Sequence, residues 1–222
     1  MGFLRAVYTL AIWMAGVGQR VDSDREAAQG RGGMNSITHL VAAAALLARK
    51  DEPQRNLAVA AGAFLPDAFI YVFFAWSRME GLSMRETWDV AYWSEPWQTL
   101  GAISNSVPLA LVLLALGLWR GWPVVSAFAG AALIHAALDF PLHADDAHRH
   151  VWPLTDWRFH SPVSYWDNRH MGWLGASIEG ATVLGSVALL LRRFGGPLLR
   201  ASLLIFACLM VAAAAWSVAG GG

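Results

Sequence analysis

Residues 122–142 read WPVVSAFAGAALIHAALDFPL. The run is long enough to carry a helix across a bilayer core, which takes about 20 apolar residues. Only two side chains in it ionise, His135 and Asp139. They are four apart and so share one helix face. Such a pair is costly in an apolar run and marks a functional candidate by default. The plainer reading is a hydrogen bond between the two that fixes a helix end near Pro141.

Four more runs of similar character flank this one: Leu57–Trp76, Thr99–Trp119, Trp173–Leu191 and Pro197–Ala219. A sixth, Ile37–Ala48, is short, the length of a tilted or half-buried helix, and is read as a helix of the same bundle. Pro66 and Pro108 interrupt two of the runs, a feature tolerated in a membrane helix where neighbours or a cavity satisfy the freed backbone. The expected fold is therefore all-α, a polytopic membrane helical bundle of about six helices. Composition agrees: 56% of residues are hydrophobic, 14% are charged and the mean hydropathy is +0.42, where soluble domains carry about 25% charged residues. Many of the twelve Trp stand at the edges of the runs, as an interfacial belt would. Zero net charge excludes an electrostatic case for nucleic acid. The single cysteine, Cys208, lies inside an apolar run and forms no intrachain disulfide.

Two readings of residues 1–33 stand side by side. Phe3–Gly18 is an apolar run behind Arg5, followed by a Gly-rich polar stretch; this is the pattern of a signal-anchor helix and linker. Met34-Asn-Ser-Ile-Thr-His39 also reads as a protein start. Residues 34–222 form the membrane domain on either reading, with a polar His/Asp loop over 143–172.

Basic residues orient the bundle. Arg49, Lys50 and Arg55, then Arg120, then Arg192, Arg193 and Arg200 fall in alternate connections, which the positive-inside rule places in the cytoplasm. The 77–98 and 143–172 connections are then outside, although the second holds Arg149, Arg158 and Arg169. On that topology His39, Asn105, His135, Asp139 and Glu179 all lie in the outer half of the bundle, with Asp67 midway along its helix.

Six of the seven histidines fall within 135–170, together with five aspartates. Imidazole and carboxylate at this density are metal-ligand chemistry. His39, Asp67, His135 and Asp139 are the expected ligands of a divalent metal. Taken singly, His39 reads as a helix cap and Asp67 as a buried acceptor for backbone freed at Pro66. In the loop, His143, Asp145, Asp146, His148 and His150 are candidates for acid–base catalysis, against the plainer reading of a solvated polar loop. Arg149 and Arg158 suit an anionic substrate group, since guanidinium forks match phosphate and carboxylate; their plainer role is headgroup contact. Asn105 is a further substrate-binding candidate. The chain has no G-x-S-x-G, H-E-x-x-H, Walker or G-x-G-x-x-G signature.

His39 near a helix start, Gly62-Ala-Phe-Leu-Pro-Asp67, and His135-x-x-x-Asp139 closing a membrane helix together resemble the bacterial membrane-bound, metal-dependent hydrolases of the YdjM-like type, over roughly residues 34–155. The resemblance implies a multi-pass protein of the bacterial inner membrane, whose His and Asp bind metal. The chain is a divergent member on this reading. Where the family has Pro-Asp-x-Asp the second acid is replaced by Phe69, and where it has His-Ser the chain has Asn105-Ser106. Either the loop histidines compensate, or the site binds metal weakly or not at all.

The expected function is a divalent-metal hydrolase, with zinc the expected ion, acting on a lipid or lipid-linked phosphate or ester at the outer leaflet. The alternative is a non-enzymatic membrane protein: a metal or small-solute carrier, or a structural component.

Overall fold

Helix α1, Ser36–Leu47, is only 12 residues long, yet it is the centre of the molecule. Its run of alanines lets neighbours approach closely, as small residues do in membrane helix packing. Ala43 packs with Ala58, Val59 and Ala63 of one neighbour and Ala127 and Ala131 of another. Ala45, on another part of α1, packs with Val183, Val187 and Leu190. The helix stops where polar sequence begins. Its last carbonyls are taken by cations from elsewhere in the chain: Arg55 donates to the Leu47 carbonyl and Arg193 to that of Ala45.

The computed structural model describes residues 36–165 and 167–220, omitting the side chains of 168 and 216–220. The two readings of residues 1–33 lie outside the described residues. After α1 come α2 (Pro53–Met79), a short π and 3₁₀ segment (Glu86–Trp93), α3 (Glu95–Ser104), α4 (Val107–Trp119), α5 (Pro123–Asp139), α6 (Gly172–Arg193) and α7 (Pro197–Gly220). No strand occurs among the described residues. Five segments are long and apolar enough to cross a membrane: α2, α3 with α4, α5 with the turn to Leu142, α6 and α7 as far as Ala215. The fold is a multi-pass helical membrane bundle. Around α1 stand α2, α5 and α6; α4 packs on α5, and α7 lies against α6.

The two prolines behave differently. Pro66 does not end α2, which runs through it. At Pro108 the span is broken into α3 and α4. Ser106 caps α4 by accepting from the Leu109 N–H at 3.1 Å, and the Val107 N–H turns to the His150 carbonyl at 2.9 Å. Pro108, lying in the first turn of α4, has no N–H to satisfy. The break thus joins the polar loop to the bundle.

Helices α2 and α5 meet in close contact at Gly62. A Cβ placed there would lie 2.1 Å from the Phe128 carbonyl oxygen. This contact sets the spacing of the two helices that carry Asp67, His135 and Asp139. Beyond Asp67, α2 continues into an aromatic cluster in which Phe69, Phe73, Trp76, Trp88, Tyr92 and Trp97 pack the 86–98 segment against it.

Candidate metal centre

Each ligand candidate is delivered by a different constraint. His39 sits in the first turn of α1, fully buried. His135 and Asp139 lie one turn apart at the end of α5, and the turn through Pro141 then releases the chain into the loop. The rings of His39 and His135 stack, with centroids 3.7 Å apart and planes 21° apart. Both point Nε2 at one carboxylate: His39 Nε2 is 3.0 Å from Asp139 Oδ1, and His135 Nε2 is 3.0 Å from Asp139 Oδ2. Asp67 stands beside them, its Oδ1 3.6 Å from His135 Nε2. The four expected ligands therefore converge from three helices.

The tautomer of His135 follows from its other nitrogen. Nδ1 lies 2.8 Å from the carbonyl of Ala63. A carbonyl only accepts, so Nδ1 carries the hydrogen, and in the neutral ring Nε2 presents a lone pair. A lone pair facing a carboxylate is repulsive, and either a second proton, which makes the ring an imidazolium hydrogen-bonded to Asp139, or a metal cation between them removes the repulsion. Among the described residues neither ring nitrogen of His39 has a hydrogen bond, nor has Asp139 Oδ1 or Asp67 Oδ2. Buried polar atoms are almost always satisfied. A metal ion would satisfy His39 Nε2 and Asp139 Oδ1 together, and His39, His135 and Asp139 are close enough to hold one, their ligand atoms lying within 4.8 Å of one another.

The loop closes over this centre. His143 follows Asp139 by four residues; its Nε2 is 3.5 Å from Asp139 Oδ2, and its Nδ1 is 3.1 Å from Asp146 Oδ2. Burial disfavours a charged His143, but the carboxylates of Asp139 and Asp146 outweigh it and raise the ring to about 10. A cation is favoured at this position too. His148 is buried edge-on to Phe69, 6.2 Å between centroids, and 4.7 Å from His143. Burial, reinforced by the charge of His143, pushes it down to about 3. His150 Nδ1 donates to the Asn105 carbonyl at 3.2 Å, while its buried Nε2 has no hydrogen bond among the described residues. Burial lowers this histidine as well, so it is neutral at pH 7 with a free lone pair.

The remaining candidates are engaged with protein. Arg149 is buried and its guanidinium donates to Asp156 at 3.0 Å and Glu95 at 3.2 Å. Arg158 donates to the Ala147 carbonyl at 2.6 Å and to Gln98 at 2.9 Å. Asn105 Nδ2 donates to the carbonyls of Gly101 and Pro66. Asp145 is exposed and faces Arg169, which Asp167 binds through both oxygens. Asp145, Asp167 and His170 also gather their ligand atoms, but Arg169 already balances them.

One buried contact has no counterpart in the sequence motifs. Thr38, beside His39, donates to Glu179 of α6 at 2.8 Å and so fixes the first turn of α1. Glu179 is the one carboxylate in the first half of an otherwise apolar run, which was the available signal. No protein-family model matches the chain, and no curated protein or solved structure is significantly similar to it.

Proposed function

We propose that this chain is a membrane-embedded hydrolase dependent on a divalent metal, with zinc as the ion, acting on a lipid or lipid-linked phosphate or ester at the outer leaflet of the bacterial inner membrane. The observation that carries the reading is the pair of stacked imidazoles whose Nε2 atoms face one carboxylate, with the other nitrogen of His135 already donating to Ala63. A bound divalent ion supplies Lewis acidity and lowers the pKa of a coordinated water towards about 7. His39, His135 and Asp139 would hold it, with Asp67 at its edge. His150, whose buried Nε2 has no hydrogen bond among the described residues, would be available to accept a proton. Asp146 orients His143, as carboxylates behind metal-binding imidazoles do.

Two further features support the reading. An apolar cavity of about 240 Å³ between α1, α5 and α6 is lined by Ala42, Leu46, Ile134, Leu138, Ala181 and Gly185, and suits a lipid chain. The likeness to YdjM-like hydrolases is part of this proposal, and the departures from that pattern have local partners. His148 lies against Phe69, where the family has its second acid. His150 donates to the backbone carbonyl at Asn105, where the family has histidine.

A second reading, a non-enzymatic metal or solute carrier, is favoured by one observation: Arg149 and Arg158 are occupied by protein groups rather than free to clamp an anionic headgroup. The test is hydrolysis of short-chain phospholipid in mixed micelles by the detergent-purified, zinc-loaded chain. Turnover that disappears in His39→Ala supports the enzyme. Tightly held metal without turnover on phosphodiester, phosphomonoester or carboxylic ester lipids, combined with metal uptake into proteoliposomes, supports the carrier.

A further inference from the structure

The centre offers more ligands than one ion takes. A catalytic zinc uses three protein ligands and one open position. Here His39, His135 and Asp139 already make three, with Asp67 alongside, and His143 and His148 are still unused. The ligand atoms form two groups, His39–His135–Asp139 and Asp139–His143–His148, each gathered within 4.8 Å, and only Asp139 belongs to both. Its Oδ2 faces one imidazole of each group. Oδ1 faces His39 at 3.0 Å, while Oδ2 lies between His135 at 3.0 Å and His143 at 3.5 Å.

We propose that Asp139 bridges two divalent metal ions, the first on His39 and His135 and the second on His143 and His148. This rests on the metal reading given above and extends it. A carboxylate shared between two ligand sets is how paired ions come to stand about 3.5–4 Å apart in two-metal hydrolytic sites. The carboxylates around the two groups are Asp67, Asp139 and Asp146, three negative charges gathered on buried imidazoles. The second position is also a built one. Asp146 stands behind His143, Phe69 packs edge-on to His148, and both imidazoles are buried. The substrate class is accordingly narrowed to phosphate esters, whose attacking and leaving oxygens a metal pair clamps together.

The test uses the full chain in detergent, stripped with chelator and dialysed against Zn(II), with bound metal per chain read by elemental analysis. The unaltered protein should hold about two ions, His148→Ala and His39→Ala one each, and Asp139→Asn fewer than one. A second measurement needs no substitution: with Mn(II) added to two equivalents, electron paramagnetic resonance should show an exchange-coupled pair, whereas one equivalent gives the isolated-ion spectrum. One ion in the unaltered protein that is lost in His39→Ala but kept in His148→Ala would overturn the second site and leave the hydrolase proposal standing. Two uncoupled Mn(II) spectra would remove the bridge. No bound metal at all would overturn both proposals.

Discussion

Asp139 carries more of the candidate centre than any other side chain, because three imidazoles face one buried carboxylate. Asp139→Asn keeps its volume and removes its charge. Metal affinity should then fall by more than the roughly 10–100-fold that loss of a supporting partner causes, while far-UV circular dichroism stays that of the helical bundle. Asp146→Asn separates ligation from support. Asp146 touches His143 Nδ1, not the side that faces Asp139, so its loss should lower affinity by about 10–100-fold without abolishing binding. Equal effects from the two substitutions, read by competition with a chelating dye, would mean that Asp146 binds the metal directly.

The elements set these side chains with little slack, and one point of close contact is a glycine. Gly62→Ala would drive a Cβ into the Phe128 backbone, which cannot rotate away, so α2 and α5 must part. Overpacking of this kind costs about 1–3 kcal/mol, and the displacement falls on Asp67 and His135. Thermal stability and metal affinity should drop together, although Gly62 touches no metal. The entry to α6 is held differently. Asp167 accepts from the Arg169 backbone and guanidinium and from His170. The Arg169 bonds hold its carboxyl down at about 2, below the ordinary value of about 3.9. A depressed carboxyl stabilises fully above its unfolded value and stops doing so as pH falls through the folded one. Melting temperature should therefore decline between about pH 4 and pH 2, and Asp167→Asn, which retains a capping oxygen, should lack that part of the decline. Helix existence was legible at this scale because each run is both long and apolar. The meeting of His39, Asp67, His135 and Asp139 was legible because ionisable groups in apolar helices need partners. The break at Asn105-Ser106 was not, since Pro66 and Pro108 look alike in sequence and differ only in what lies opposite them. Nor was the engagement of Arg149 and Arg158, whose partners Glu95, Gln98 and Asp156 lie in segments with no periodic signal.

For the whole molecule the open variable is which side of the membrane the centre faces. The connections at the ends of α1, α4 and α6 carry Arg49 and Lys50, Arg120, and Arg192 and Arg193. They lie on the side away from His143, because α5 runs from Pro123 to its ligand end at Asp139. The positive-inside rule puts those connections in the cytoplasm and the loop that closes the centre outside. The basic residues within that loop do not weigh against this as three free charges. Arg149 pairs with Glu95 and Asp156, Arg169 pairs with Asp167, and Arg158 donates to Gln98 and a carbonyl. A cysteine reporter must be placed where reagent can reach it. Ala147, central in the loop sequence, is buried, whereas Thr155 is exposed. In a Cys208→Ala background, Thr155→Cys should react with a membrane-impermeant maleimide applied while the membrane that holds the protein is intact. A cysteine at Lys50, exposed at the opposite end, should react only after lysis. The reverse pattern would turn the centre to the cytoplasm and replace an outer-leaflet substrate with an inner-leaflet one, leaving the ligand geometry untouched.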